Sequence, residues 1–244
     1  MSSLELTSAQ IANVLYAGEI ELLGQMRYSS NGTFLVEACA DGVAVPAVYK
    51  PRRGERPLWD FPDGTLCQRE VAAFEVSNTL GWGIVPVTIL RTEGPLGIGA
   101  LQRFVEHDPE EHYFTLLADN QDRFRQFAAY DIVVNNTDRK GGHCLHDLDN
   151  GLVVGIDHGL TFSVEWKLRT VVWDFAGEDL SKELIIDLER LASELDGGLL
   201  AKTLTPLLSP VEIAALNQRT QMLLRAGKFP HPDEGYHSVP WPLV

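Results

Sequence analysis

Basic charge is scarce in this sequence. Twenty Lys and Arg stand against 34 Asp and Glu in 244 residues, for a formal net charge of −14. Nucleic-acid binding rests on clustered Lys and Arg, and anionic membranes attract the same side chains, so neither a nucleic acid nor a membrane is expected as a partner. Cysteine is scarcer still. Cys39, Cys67 and Cys144 are too few and too scattered for a disulfide framework, and none forms a Cys-x-x-Cys pair, so reduced thiols are expected. Nor does any apolar run approach the roughly 18 residues of a membrane span. The opening MSSLELTSAQ lacks the basic segment and apolar core of a signal peptide. A cytoplasmic location follows as the expectation. Several enzyme signatures are missing too: no Gly-x-Ser-x-Gly elbow, phosphate-binding P-loop, Gly-x-Gly-x-x-Gly or His-Glu-x-x-His is present. His107, His112, His143, His146 and His158 show no zinc spacing.

What is present is enough apolar residue, 45% of the chain, to bury a sizeable core. The periodicity predicts an α+β chain with a lobe boundary after Val105, giving lobes 1–105 and 106–244. In the first, Ile11, Val14 and Leu15 behind Thr7-Ser8 predict a short capped helix, followed by a turn. Phe34–Cys39 and Val43–Lys50 read as strands joined at Asp41-Gly42, a strong hairpin step. Pro51–Gly64 is rich in Pro, Gly and charge and reads as irregular. Leu66–Leu80 has helical period; Val85–Leu90 and Gly97–Val105 read as strands. In the second lobe, a helix over Asp122–Val134 runs into a polar loop, Asn135–His143. Cys144–Asp147 and Leu152–Ile156, separated by Asp149-Asn150-Gly151, predict a further hairpin. Leu180–Ala226 is helical by period, broken at Gly197-Gly198 and restarted at Ser209-Pro210. The tail after Gly227, rich in Pro and aromatics, predicts an extended strap.

Phosphoryl transfer from ATP requires a cation on the phosphates, metal ligands, a carboxylate at the attacking hydroxyl, and groups that orient them. This chain offers such groups in order. Lys50 closes an apolar strand, Ala47-Val48-Tyr49-Lys50, and Glu70 lies on the following helix. By itself each is equally a snorkelling Lys or a solvated Glu. More specific is Asn135-Asn136-Thr137-Asp138-Arg139-Lys140-Gly141-Gly142-His143, a long polar loop between an apolar helix and a strand. Further on, Ile156-Asp157-His158-Gly159 sets an Asp at a strand end, a metal-ligand position that also occurs in ordinary turns.

The stretch Val134–Leu145 together with Gly155–Gly159 resembles the catalytic loop and Asp-Phe-Gly motif of the phosphatidylinositol 3- and 4-kinase family. It is similar in particular to a bacterial, actinobacterial-type branch of that superfamily, and more distantly to HipA-type kinases. The resemblance implies a two-lobed protein-kinase-like fold, with an antiparallel sheet and one main helix in the N-lobe and a mainly helical C-lobe carrying the catalytic-loop hairpin. It further implies ATP with Mg²⁺ or Mn²⁺. Asp138 takes the place of the catalytic aspartate, and Lys140 resembles the Asp-x-Lys lysine of protein kinases. Asp157 matches the metal-binding aspartate, Lys50 and Glu70 the nucleotide lysine and its partner. Gln102, Phe104 and Val105 fall in the hinge that meets adenine through its backbone. Ser30 and Asn31 fall in the phosphate loop, Ser29–Thr33, which holds one Gly where protein kinases carry three. His143 stands where the family has a metal-binding Asn, and its nitrogen suits Mn²⁺ or Zn²⁺ better than Mg²⁺.

The acceptor is expected to be a protein or small molecule. Lipid kinases meet inositol phosphates with basic residues, whereas Thr161–Leu180 holds only Lys167 and Arg169 against Glu165, Asp174, Glu178 and Asp179. Two other readings remain open: a nucleotide-binding pseudokinase acting as a regulatory partner, and a nucleotidyltransferase or ATPase on the same fold.

Overall fold

The computed structural model describes residues 6–26, 32–233 and 235–244. It forms two compact units, one of residues up to 71 with Pro86–Phe104, the other of Ala72–Val85 with Val105–Val244. The sequence predicts a single boundary after Val105; in the structure, residues 72–85 group with the second unit.

The first unit opens with α1 (Ser8–Ala17), whose Thr7 cap and Gln10 form a reciprocal capping box. Two orphan amides of the first turn are thereby satisfied. Five strands follow: β1 (Glu19–Gln25), β2 (Phe34–Ala40), β3 (Val43–Pro51), β4 (Thr88–Arg91) and β5 (Gly99–Arg103). They form one sheet in the order β1-β2-β3-β5-β4, every neighbouring pair antiparallel. Asp41 and Gly42 both adopt left-handed backbone at the β2–β3 turn (φ 51° and 78°), the conformation a tight two-residue hairpin requires. On β3, Val45, Ala47 and Tyr49 are buried. Side chains alternate along a strand, so Lys50 falls on the opposite face. β1 stands where the sequence predicts only a turn. Nearly all its residues are exposed, so backbone pairing with β2 makes the strand without an apolar alternation to announce it.

α2 (Leu66–Leu80) starts in the first unit. Its first amides are held by the segment that reads as irregular: Leu66 and Cys67 N–H donate to the Glu55 carboxylate at 3.1 and 2.8 Å. An anion there also suits the positive end of the helix.

The second unit holds α3 (Tyr113–Leu116), α4 (Gln121–Val134), the hairpin β6 (Cys144–His146) and β7 (Val153–Gly155), then α5 (Lys182–Leu195), α6 (Leu199–Leu204) and α7 (Pro210–Ala226). α3 is four residues long, too short to show a period. α4 runs through the core, with Phe124, Phe127, Tyr130 and Val133 all fully buried. Burial of each such side chain contributes on the order of 1.5–3 kcal/mol. Ser209, Pro210 and Glu212 start α7 with a capping box, and Gly227 ends it in left-handed conformation. The mixed architecture of an antiparallel sheet and helices is the α+β class that the sequence predicts. Among the described residues, no helix is long and apolar enough to cross a membrane.

Candidate active site

In the first unit, Lys50 Nζ lies 2.6 Å from Glu70 Oε1, with side chains 16% and 6% exposed. The strand end delivers the ammonium and the first turns of α2 deliver the carboxylate. Their pairing is a charge-assisted bond shielded from water. Gln102 is placed otherwise. It lies on β5 between β3 and β4, so sheet neighbours flank its backbone on both sides, and its side-chain amide donates to Thr88 Oγ1 at 2.8 Å. Phe104 N–H donates to the Pro46 carbonyl at 2.9 Å, and the Phe104 carbonyl accepts from Arg103 at 3.3 Å. Val105 belongs to the second unit, its side chain packed with Leu145 and Val154 of the β6–β7 hairpin. Ser30 and Asn31 lie outside the described residues.

In the second unit, α4 stops because Asn135 turns left-handed (φ 53°). Its side chain then fixes the chain beyond: Nδ2 donates to the carbonyls of Ser163 and Glu165 at 3.0 and 2.7 Å, and Oδ1 accepts from Lys167 N–H at 3.0 Å. Asn136 works inward, donating to Asp131 Oδ1 and accepting from the Asp138 amide, both at 3.0 Å. Under this loop lies a fully buried ion pair. Arg139 donates through Nε and Nη2 to Asp131 at 3.1–3.2 Å, and both side chains are 0% exposed. Thr170 Oγ1 donates to the same carboxylate at 2.9 Å. Arg139 also donates to the Ile156 carbonyl at 3.1 Å and to His158 Nε2. Burial lowers the affinity of Arg139 for its proton, but its neighbours together, the Asp131 carboxylate foremost, outweigh this, and the guanidinium sits above its ordinary range.

This pair sets the loop residues around it. With Arg139 pointing inward, its neighbours on either side remain accessible, and Lys140 Nζ meets Asp138 Oδ2 at 3.1 Å with both side chains partly exposed. Arg139 and Asp131 do not follow from the sequence motifs. The available signal was an Asp inside an otherwise apolar run, Tyr130-Asp131-Ile132-Val133, since a carboxylate so placed needs a buried partner.

Asp157 and His143 also come together, His143 Nε2 lying 3.6 Å from Asp157 Oδ2. The Ile156 amide donates to the His143 carbonyl at 3.0 Å, which aligns the two segments. Asp157 is left-handed (φ 57°), an uncommon state for a residue with a Cβ. Burial pushes the His143 imidazole down, against the pull of Asp157, so the ring is neutral at pH 7 and its nitrogen lone pair is available. Its Nδ1 accepts the Lys140 amide at 3.4 Å; ligation through Nε2 would shift the ring proton to Nδ1 and forfeit that long contact. The separation suits two donors sharing one cation at bonds of about 2.0–2.3 Å. Among the described residues no group of three or more His, Cys, Asp or Glu is placed to hold a metal. The set therefore fits a cation completed by phosphate oxygens and water, the usual habit of metal–nucleotide sites.

Comparison with known proteins bears on this arrangement. Residues 77–187 match the phosphatidylinositol 3- and 4-kinase family model, a span that contains Asp138, Lys140, His143 and Asp157 but not Lys50 or Glu70. Protein Rv2133c of Mycobacterium tuberculosis is 42% identical, with 94% of this chain and 94% of that protein aligned. Among solved structures, a Fam20 from hydra, determined with sugar, has a TM-score of 0.56 at 13% identity, covering 89% of this chain and 87% of that one. A Golgi casein kinase with Mn/ADP bound has a TM-score of 0.56 at 14% identity, covering 89% and 74%. At such identities the likeness concerns the fold. The chain thus belongs to the same family as Protein Rv2133c of Mycobacterium tuberculosis, and its fold is that of the protein-kinase-like proteins.

Proposed function

We propose that this chain is a cytoplasmic phosphotransferase, dependent on ATP and a divalent cation, which transfers the γ-phosphoryl group to a hydroxyl of a protein or small-molecule acceptor. The observation that carries this reading is the Asp138–Lys140 pair at 3.1 Å, held by the buried Asp131–Arg139 clamp within the same unit as Asp157 and His143 at 3.6 Å. A polar turn that merely ended α4 would need no buried ion pair beneath it. The manganese and nucleotide of the Golgi casein kinase structure lend the same direction to the cofactor assignment.

Each side chain then has a task. Asp138 accepts the proton of the acceptor hydroxyl as its oxygen bonds to phosphorus and the bridging β–γ bond breaks. Lys140 stabilises charge on the moving phosphoryl group, and Lys50, oriented by Glu70, holds the phosphates that stay behind. Asp157 and His143 would hold the cation. When bound, the metal–nucleotide supplies the phosphoryl group and neutralises the charge of its phosphates. An inositol lipid is a poor acceptor here because the basic residues after Asp157 are engaged: Lys167 pairs with Glu165 at 3.3 Å, and Arg169 lies over the Tyr236 ring at 5.0 Å.

The test is the fate of label from α- or γ-labelled ATP with Mg²⁺ or Mn²⁺, in wild type and Asp157→Ala. Transfer of γ label, lost in Asp157→Ala, supports the reading. Transfer of α label makes the chain a nucleotidyltransferase, γ release to water alone an ATPase, and nucleotide binding with no transfer a pseudokinase. The last is favoured by one observation, the histidine at a ligand position that otherwise presents oxygen.

A further inference from the structure

The tail beyond α7 returns to the catalytic loop and takes hold of it at two points. Near its middle, the Ser238 carbonyl accepts from the Thr170 amide at 3.0 Å and from Trp173 Nε1 at 2.9 Å. Thr170 is the residue bridged to the Arg139 backbone, and its hydroxyl binds Asp131. At the far end, the Leu243 carbonyl accepts the Gly141 amide at 2.6 Å. The strap is therefore tied to Gly141, directly after Lys140, and through Thr170 to Arg139, which lies between Asp138 and Lys140.

The paired glycines of the loop record this contact. Neither is needed for a left-handed turn, because neither Gly141 nor Gly142 has positive φ. Space is the constraint instead. A Cβ on Gly141 would lie 3.1 Å from the Phe114 ring, 3.2 Å from the Leu243 oxygen and 3.2 Å from a Val244 methyl. A Cβ on Gly142 would meet Val244 at 3.6 Å, an ordinary contact. Gly141 is thus pinned between α3 and the strap, one residue after Lys140 and two before His143.

We propose that residues 238–244 are a positioning element of the active site, holding the 138–143 loop in the arrangement in which Asp138 and Lys140 work. The strap touches no reacting group. It acts through the Gly141 amide, whose bond to Leu243 limits where Lys140 and His143 are carried, and an error of about 1 Å in such placement costs up to about a hundredfold in rate. The inference rests on the phosphotransferase reading for its kinetic consequence, but not for the contact itself.

The test uses a chain ended after Pro240, the full chain, and a synthetic peptide of residues 238–244. In the shortened chain, hydrogen exchange at the Gly141 amide is expected to rise at least about tenfold while α4 and α7 keep their protection. The turnover number is expected to fall about tenfold or more with KM for ATP unchanged, and the peptide added in trans to restore both exchange and turnover. Unchanged exchange at Gly141, unchanged or raised turnover, or global loss of protection in α4 and α7 overturns the proposal. Should the full chain transfer no phosphoryl group under any condition, the functional reading fails, and the strap's hold on the loop stands or falls on the exchange data. Gly141→Ala gives a second approach: it is expected to mimic the shortened chain and to be insensitive to the peptide, whereas wild-type turnover in Gly141→Ala counts against the proposal.

Discussion

Asp131→Ala is the most demanding perturbation the structure allows. The Asp131 carboxylate is fully buried and receives Arg139 Nε and Nη2, Asn136 Nδ2 and Thr170 Oγ1. Removing it leaves a guanidinium in the interior with carbonyl and imidazole partners but without its counter-charge, and strands two neutral donors. Breaking such a pair costs about 3–5 kcal/mol. In a chain of this size, that lowers the melting temperature by roughly 6–20 °C. Replacing both partners with apolar residues behaves differently, because desolvation of two charges disappears along with their attraction. Asp131→Leu with Arg139→Met should therefore recover part of the lost stability yet none of the turnover, since the loop that displays Asp138 and Lys140 has lost its frame. Denaturant unfolding of wild type, both single variants and the double variant measures the coupling energy. A loss below about 1 kcal/mol in Asp131→Ala, or wild-type turnover in the double variant, refutes the clamp.

Lys50→Met should weaken ATP binding without unfolding the chain; an unchanged nucleotide titration sinks the assignment of Lys50. His143→Asn should move metal preference from Mn²⁺ toward Mg²⁺, measured as the ratio of turnover with the two ions. Burial holds the His143 pKa below its unfolded value near 6.5. Its contribution to stability is therefore complete above about pH 6.5 and declines as pH falls through the folded value, and the Asn variant should lack that acid decline. In thiol titration of the native protein, exposed Cys39 should label alone. Burial pushes Cys67 and Cys144 up to about 12, so both should label only on unfolding; rapid labelling of either contradicts the packing of α2 or β6.

Local chemistry made much of this legible from sequence. Asp41-Gly42 dictates its own turn, and the apolar period of Leu66–Leu80 places Glu70 on a helix behind the Lys50 strand. The polar loop after Val134 is conspicuous because nothing else interrupts α4. Less local features left weaker traces. β1 owes its existence to backbone pairing with β2, which has no side-chain period. Arg139 reads as one more polar loop residue until the fold brings α4 beneath it. The strap is recognisable as extended from its prolines, but its landing on Gly141 depends on long-range contacts. Gln102 adds a contact that motif order does not announce: the sheet takes up its side-chain amide at Thr88.

The left-handed backbone of Asp157 separates what the chain keeps for durability from what it keeps for work. A residue with a Cβ at φ 57° sits about 1–2 kcal/mol above glycine at the same place, somewhat less for Asp. That backbone cost is carried at a position whose carboxylate is half-exposed. Drift without a function to protect would favour glycine there, because the change removes that cost. Asp157→Gly is thus a substitution that should relieve the backbone strain while erasing the metal-dependent response to nucleotide. Persistence of aspartate at this position across relatives of the chain would therefore measure how long the site has been in use.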